Sequence, residues 1–525
     1  MKASDLLVAC LEREGVEHVF GLPGEEMEDL LFSLRDSDLT FVPTRHEQGA
    51  AFMADVHGRL TGEAGVCLAT LGPGATNLLT GVADAHLDKS PVVAITAQGS
   101  LERLHQESHQ ALDVLGTFKP VTKWNTQLDD PDIIHESVRK AFKMAQYEKP
   151  GATHLELPED VAAQEANVQP LPSRDPVRFA DPNPASLDRV EALLAEADRP
   201  LIIAGNGAVR TRAAEPLRTL VEVTDLPVVS TYMGKGAVSD ADPHSLMTLD
   251  SGAEGEAGSA IQKSDLVITV GYDIAEHDPA DWNCDATIIH IDSEPAEVYE
   301  AYNPAVEVVA DLSRTLEELA DWCEAADLNF DPNWYADLRE KIVNDVDREP
   351  SDEAPFALRD VLPLLRAAMA PNDVIISDVG SHKMAIAQNF PTFEPNTCII
   401  SNGLASMGIA VPGGLAADLA IDANVVAATG DGGFLMNAAE IETATRLGAS
   451  YTIVVFNDND YGLISEKQMD HTGEAFGTGL TNPDLPAFAE SFGIDGYRPT
   501  TSDALRDAFD AAIGDGMSLI EVPVE

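Results

Sequence analysis

Basic side chains are scarce in this chain: 33 Lys and Arg stand against 89 Asp and Glu, a formal charge of -56. So large an acidic excess repels other polyanions and excludes nucleic-acid binding. The acid is dispersed over many helix faces instead of forming one tail. Such a surface suits multimolar salt, where the Debye length shrinks to ~3 Å, and predicts a halophilic cytoplasm. Cysteine is also sparse. Cys10, Cys67, Cys284, Cys323 and Cys398 lie far apart with no C-x-x-C pair, which points away from a disulfide framework or a zinc site. Long apolar runs are missing, so no membrane span is expected. Met1-Lys2-Ala3-Ser4-Asp5 leads straight into an amphipathic pattern without an apolar core and cleavage site, and a cytoplasmic protein is expected.

What is present reads as α/β architecture. A chain of 525 residues exceeds the ~250–300 at which single cores stop growing. Short apolar runs such as Gly65–Ala69 and Pro91–Ile95 alternate with helical segments up to about Asp160. Pro170, Pro172, Pro176, Pro182 and Pro184 then break both periods and mark a linker. A second unit has strand candidates at Arg199–Gly205, Leu266–Val270 and Thr287–Ile291. The acidic, weakly periodic segment Asp327–Ala354 marks another boundary. A third unit follows, with strands expected at Val374–Ser377, Val425–Ala428, Tyr451–Phe456 and Ser518–Val522. We expect three doubly wound parallel-sheet domains, at 1–168, 185–325 and 355–525.

The strongest chemical signal is Gly430-Asp431-Gly432-Gly433-Phe434, placed after one strand and before a helix. After the next strand it is answered by Asn457-Asp458-Asn459-Asp460. Carboxyl ends of neighbouring parallel strands form the ligand crevice of an open sheet, so Asp431 and Asp458 can converge on one hard cation. Mg²⁺ with a diphosphate fits: it favours oxygen ligands, and the glycines admit backbone N–H groups to phosphate. Each loop taken alone is also readable as an ordinary acidic turn.

Gly430 to Asp460 resembles the thiamine-diphosphate signature, and the resemblance extends along nearly the whole chain. Arg45 to Asp55 and Leu71-Gly72-Pro73-Gly74-Ala75-Thr76-Asn77 look like the pyrimidine-binding domain of acetolactate synthases. Ser401 to Gly408 is similar to the segment of that family that holds the cofactor bent. Tyr272 to Pro279, with Trp282-Asn283, looks like the catabolic, flavin-free branch. The resemblance implies a pyrimidine-binding, a central Rossmann-like and a diphosphate-binding domain. It also implies a homodimer or tetramer with active sites between subunits, leaving a regulatory subunit open. The implied reaction is decarboxylation of pyruvate and ligation to a second 2-keto acid, giving acetolactate for branched-chain amino acid synthesis.

The same resemblance assigns roles. Glu47 would hold a proton and donate it to N1′ of the aminopyrimidine; Ala50, Ala51, Phe52 and Met53 would keep water from it. Gly380, Ser381 and His382 match the diphosphate loop, with Gly430, Gly432 and Gly433. Met407 would be the apolar wedge beneath the cofactor, and the Ala405 carbonyl would accept from the 4′-amino group. Mg²⁺ would be held by Asp431, Asp458 and the backbone carbonyl of Asp460. Gln110, Phe118, Leu463, Ile464 and Gln468 fall at substrate-pocket positions. Read from the residues alone, Glu47 is more simply a solvated helix start, and Met407 is equally a core methionine, Gln110 a helix face and Phe118 a core ring.

Two features depart from the family. Ser465-Glu466-Lys467-Gln468 stands where many relatives have a basic residue followed by tryptophan, and the sequence ends at Val524-Glu525 where they typically continue. A more open site or a different acceptor is therefore expected as an alternative: glyoxylate carboligase, sulfoacetaldehyde acetyltransferase or simple decarboxylase chemistry, or a non-catalytic partner that keeps the fold. Gly205-Asn206-Gly207 is only a fragment of a dinucleotide fingerprint, so FAD is not the favoured cofactor. His105 and His109 have helical spacing but no third ligand.

Overall fold

The computed structural model describes residues 1–525 except Pro176, Ser251 and Asn283, so two of the positions singled out above, Pro176 and Asn283, lie outside the described residues. It contains three six-stranded sheets, all of whose pairings are parallel. The first comprises β1 (His18–Gly21), β2 (Thr40–Pro43), β3 (Gly65–Ala69), β4 (Val92–Gln98), β5 (Trp124–Gln127) and β6 (Ala152–Pro158), in the order β2-β1-β3-β4-β6-β5. The second comprises β7 (Pro200–Ala204), β8 (Val228–Ser230), β9 (Ser245–Thr248), β10 (Leu266–Val270), β11 (Thr287–Asp292) and β12 (Val306–Val309), in the order β12-β11-β10-β7-β8-β9. The third comprises β13 (Val374–Ser377), β14 (Cys398–Ile400), β15 (Val425–Gly430), β16 (Thr452–Asn457), β17 (Asp495–Tyr497) and β18 (Ser518–Pro523), in the order β14-β13-β15-β16-β18-β17. The expected α/β class with three doubly wound sheets is the architecture found. The first and third sheets share one strand order, and the middle sheet has the two-winged order of a dinucleotide fold.

Helices on both faces explain why the central strands read as unbroken apolar runs: every residue of β3, β4, β6 and β10 is buried. The first and third units share a core. The helix Glu47–Thr61 packs on the helix Ala410–Ala420, and one apolar cluster runs from Phe20, Phe52 and Met53 to Ile376, Val411, Leu415 and Tyr451. Small residues set the approach. A Cβ on Gly81 would stand 2.6 Å from the Ala51 Cβ, so the helices Glu47–Thr61 and Pro73–Leu87 meet closely only with glycine there.

The acidic segment Asp327–Ala354, expected as an aperiodic boundary, instead carries the helix Asn333–Val346. Tyr335 and Leu338, one turn apart, are buried with Leu249, Tyr272 and Trp282 against the middle sheet. The Tyr335 hydroxyl donates to the Asp225 carbonyl at 3.0 Å. A stripe this narrow is enough to dock a helix whose other faces are charged, and it is too narrow to stand out in sequence. Among the described residues no helix is long and apolar enough to cross a membrane. All five cysteines are free, and four of them are buried.

Candidate active site

The third sheet reverses its winding between β13 and β15, and the loops after β13, β15 and β16 open into one cleft there. β15 ends at Gly430, and the helix Asp431–Asn437 begins at once. β16 ends at Asn457, and Asp458 to Tyr461 lead into the helix Gly462–Thr472. β13 ends at Ser377, and the helix Ser381–Asn389 starts after Gly380. The cleft brings together Gly380, Ser381 and His382 from the first loop; Gly430 to Gly433 from the second; and Asp458, Asp460, Leu463 and Ile464 from the third, with Met407 on its wall. Glycines shape it: a Cβ on Gly432 would lie 2.6 Å from the Tyr461 ring, and one on Gly433 2.9 Å from Asp378 Oδ2.

Electrostatics in the cleft favour a bound cation. Burial pushes the Asp431 carboxyl up to about 6, and the neighbouring Asp458 charge adds to the rise against the hydrogen bond from Asn482. Burial also raises Asp458. Asp460 is held below the ordinary carboxylate range by the Ser465 hydroxyl. The Asn482 carboxamide donates to Asp431 Oδ2 at 2.5 Å and to Asn457 Oδ1 at 3.1 Å, filling the gap between the two loops. Two adjoining carboxylates that resist ionisation suit a divalent ion, whose charge would reverse that cost. In the same cleft the buried His382 Nε2 has no hydrogen-bond partner, and burial brings the imidazole down to about 4, leaving a neutral ring nitrogen free to bond a ligand. Among the described residues no three His, Cys, Asp or Glu side chains converge as a metal cage. The cleft brings the Asp431 and Asp458 carboxylates and Asp460 to one side.

Asp378, buried beneath the cleft and pushed up to about 6 by burial, accepts from the Gly408 N–H at 2.8 Å, the Val379 N–H at 2.7 Å and the Thr429 hydroxyl at 3.0 Å. It therefore braces Met407 from below. The rest of the Ser401–Gly408 segment is clamped by the first unit. Ser401 donates to Asp84 at 2.9 Å, the Ser406 N–H to Asp84 at 3.2 Å, and the Asn402 and Gly403 N–H groups to Asp88. Arg59 offsets part of the charge of this buried group through Asp55 at 2.8 Å and Asp88 at 2.6 Å. Ala405 sits in this segment with φ +56°, a left-handed conformation rare for alanine and sustained by the clamp.

Glu47 lies elsewhere. It opens the helix Glu47–Thr61, is 5% exposed, and accepts from Asn77 Nδ2 at 3.0 Å. No residue of the first unit lines the Asp431 cleft; its lining runs from Leu358 to Val524. Three of the substrate-pocket residues also stand apart from it. Phe118 is a core ring, fully buried and stacked on His154 at 4.1 Å, because its short helix tucks beneath β6. Gln110 is exposed on the loop over Gly72. The Gln468 side chain accepts from the Phe476 N–H at 2.7 Å. Sequence reading missed Asn482, Asp378, Asp84 and Asp88 as site residues. Only Asp378, just past a strand at the switch point, carried a readable signal.

Comparison with known proteins matches all three units to one group of enzymes. Residues 1–117 match the N-terminal TPP-binding domain of thiamine pyrophosphate enzymes, residues 187–319 the central domain, and residues 378–522 the C-terminal TPP-binding domain. Fold and site thus define a thiamine-diphosphate-dependent enzyme. The chain is 33% identical to the probable acetolactate synthase large subunit of Methanocaldococcus jannaschii, over 98% of this chain and 90% of that protein. It is 32% identical to the acetolactate synthase of Bacillus subtilis, over 100% and 93%, and 34% identical to the catabolic acetolactate synthase of Raoultella terrigena, over 99% and 95%. The chain belongs to the acetolactate synthase family.

Proposed function

We propose that the protein decarboxylates one pyruvate and joins the remaining two-carbon unit to a second 2-keto acid, releasing CO₂ and acetolactate. The observation that carries this reading is the Asp431–Asp458 pair at the switch-point cleft, beside the unpartnered His382 nitrogen, in a chain of this family. Asp431, Asp458 and the Asp460 carbonyl would hold Mg²⁺. Backbone groups of Gly430, Gly432 and Gly433, with Gly380, Ser381 and His382, would hold the diphosphate. The bound thiamine supplies a cationic ring that accepts the electron pair left as CO₂ departs.

The chain's own groups do the rest. Met407 would set the cofactor's bend, and the Ala405 carbonyl would accept from its amino group. Glu47 would keep a proton for the pyrimidine ring nitrogen, with Asn77 fixing which carboxyl oxygen is free to carry it. Because the Asp431 cleft draws nothing from the first unit, we assign Glu47 to the site of a second copy, in a homodimer or tetramer. Leu463 and Ile464, which line the cleft, would face the substrate. Flavin is left out of this reading: at the Gly205-Asn206-Gly207 turn the Asn206 N–H already donates to Glu276 at 3.0 Å.

Product analysis after incubation with pyruvate, thiamine diphosphate and Mg²⁺ in high salt tests the proposal. Acetolactate with one CO₂ for every two pyruvates consumed is expected. Acetaldehyde as the sole organic product would overturn it in favour of a simple decarboxylase.

A further inference from the structure

Glu440 opens the helix Glu440–Leu447 of the third unit and is fully buried. Its carboxylate reaches into the first unit. Oε1 accepts the backbone N–H groups of Arg45 and His46, each at 3.0 Å, and Oε2 accepts from Arg45 at 3.1 Å and from the Thr443 hydroxyl at 2.6 Å. Those two N–H groups stand immediately before Glu47. Nearby, the Gln48 N–H donates to His46 Nδ1 at 3.1 Å, and Arg446 donates to the Pro43 carbonyl at 2.5 Å. The carboxylate leaves no slack on the helix side: a Cβ on Gly49 would stand 2.7 Å from Glu440 Oε1.

We infer that Glu440 is a positioning residue for Glu47, a buried clamp from the third unit that fixes where the helix Glu47–Thr61 begins and so where the Glu47 carboxyl points. The inference rests on the proposed role of Glu47. A buried carboxylate is a costly tether, and burial raises the Glu440 carboxyl above its ordinary value. It is retained where its acceptors are needed at two consecutive backbone N–H groups that the helix cannot satisfy itself. The clamp also joins two functions. Glu440 opens the helix that follows Asp431–Asn437 closely in sequence, so neighbouring helices of the third unit carry Asp431 and hold the segment before Glu47 of the same chain.

The test compares Glu440→Ala, Glu440→Gln and Gly49→Ala. Glutamine keeps one oxygen for both N–H groups, and the Thr443 hydroxyl can turn to accept from its amide. We expect Glu440→Ala to lose about 10²-fold in kcat, the scale of an ångström-level misplacement, with the pyruvate KM little changed and thiamine diphosphate still bound. Glu440→Gln should recover most of that activity. Hydrogen exchange at the Arg45 and His46 amides of the cofactor-free protein should speed up by about tenfold or more in Glu440→Ala. Gly49→Ala should lower kcat in the wild-type background and cost nothing further in Glu440→Ala, whose shortened side chain leaves room for the methyl group. Wild-type kcat in Glu440→Ala, or unchanged amide exchange with equal losses in both Glu440 variants, would overturn the clamp. If the wild type itself showed no thiamine-dependent turnover, the role of Glu47 would fail instead. Amide exchange, and the coupling of Gly49 and Glu440 in thermal unfolding, would still decide the clamp.

Discussion

Asn77 Nδ2 donates to Glu47 Oε2 across 3.0 Å, while Oε1 lies beside Gly74, where a Cβ would stand 3.3 Å from it. One carboxyl oxygen is engaged as an acceptor, and the other has no side-chain donor on it. Asn77→Ala should therefore reduce kcat by about 3- to 10-fold, the scale of one hydrogen bond, with cofactor affinity preserved. Steady-state kinetics alongside cofactor titration checks this; an unchanged kcat would mean that the engaged oxygen does not matter.

Asp431→Ala should abolish cofactor retention, since the diphosphate would face Asp458 and Asp460 without a metal between them. Asp458→Asn should keep binding, because it removes the repulsion that helps raise Asp431. Equilibrium dialysis of thiamine diphosphate with and without chelator distinguishes the two. Unchanged affinity of Asp431→Ala in the presence of excess chelator would show that the metal site is misassigned.

Glu276 gives a pH prediction. Burial, then the Asp273 charge, pushes its carboxyl up to about 7 from an ordinary 4.5, against hydrogen bonds from Thr231, Asn206 and Met233. Between those values the folded chain keeps a proton that the unfolded chain has lost. The stabilising contribution is therefore complete below 4.5 and is lost as pH rises through 7. Glu276→Gln, which cannot ionise, should gain stability relative to wild type between pH 5 and pH 8, read as the difference in Tm at constant KCl. A difference independent of pH would show that Glu276 ionises normally.

The central strands and the cleft loops were legible because both rest on short-range pattern. Val374–Ser377 and Leu266–Val270 are apolar runs of strand length, and Gly430 to Asp460 spans a single β-α-β step. What was not legible depends on contacts between distant parts of the chain. Glu440 meets Arg45 across 395 residues and Asn482 meets Asp431 across 51, and an isolated Glu or Asn in so acidic a chain offers no periodicity to read. Phe118 fits a pocket position and a core equally well in sequence; only its stack on His154 separates them. The helix Asn333–Val346 escaped notice because so few of its residues are buried.

Salt should govern the whole molecule. With 89 acids and 33 bases, most surface carboxylates lack a partner, and lowering KCl from molar to about 0.1 M lengthens the Debye screening to ~10 Å. Activity and oligomeric state should both be lost, with thiamine diphosphate and Mg²⁺ slowing the loss without preventing it. Sedimentation and activity across a KCl series test this. Full activity after a day in dilute buffer would leave the charge unexplained by halophilic adaptation.

The central claim is that Glu47 serves the cofactor as a proton-holding group while the Asp431 cleft binds it. Exchange of the thiamine C2 proton, followed by rapid acid quench and NMR in Glu47→Gln, tests it most directly. We predict full cofactor occupancy with exchange slowed by ~10²–10⁴, the range of a positioned acid–base group. Exchange at the wild-type rate in the fully occupied variant would contradict the account.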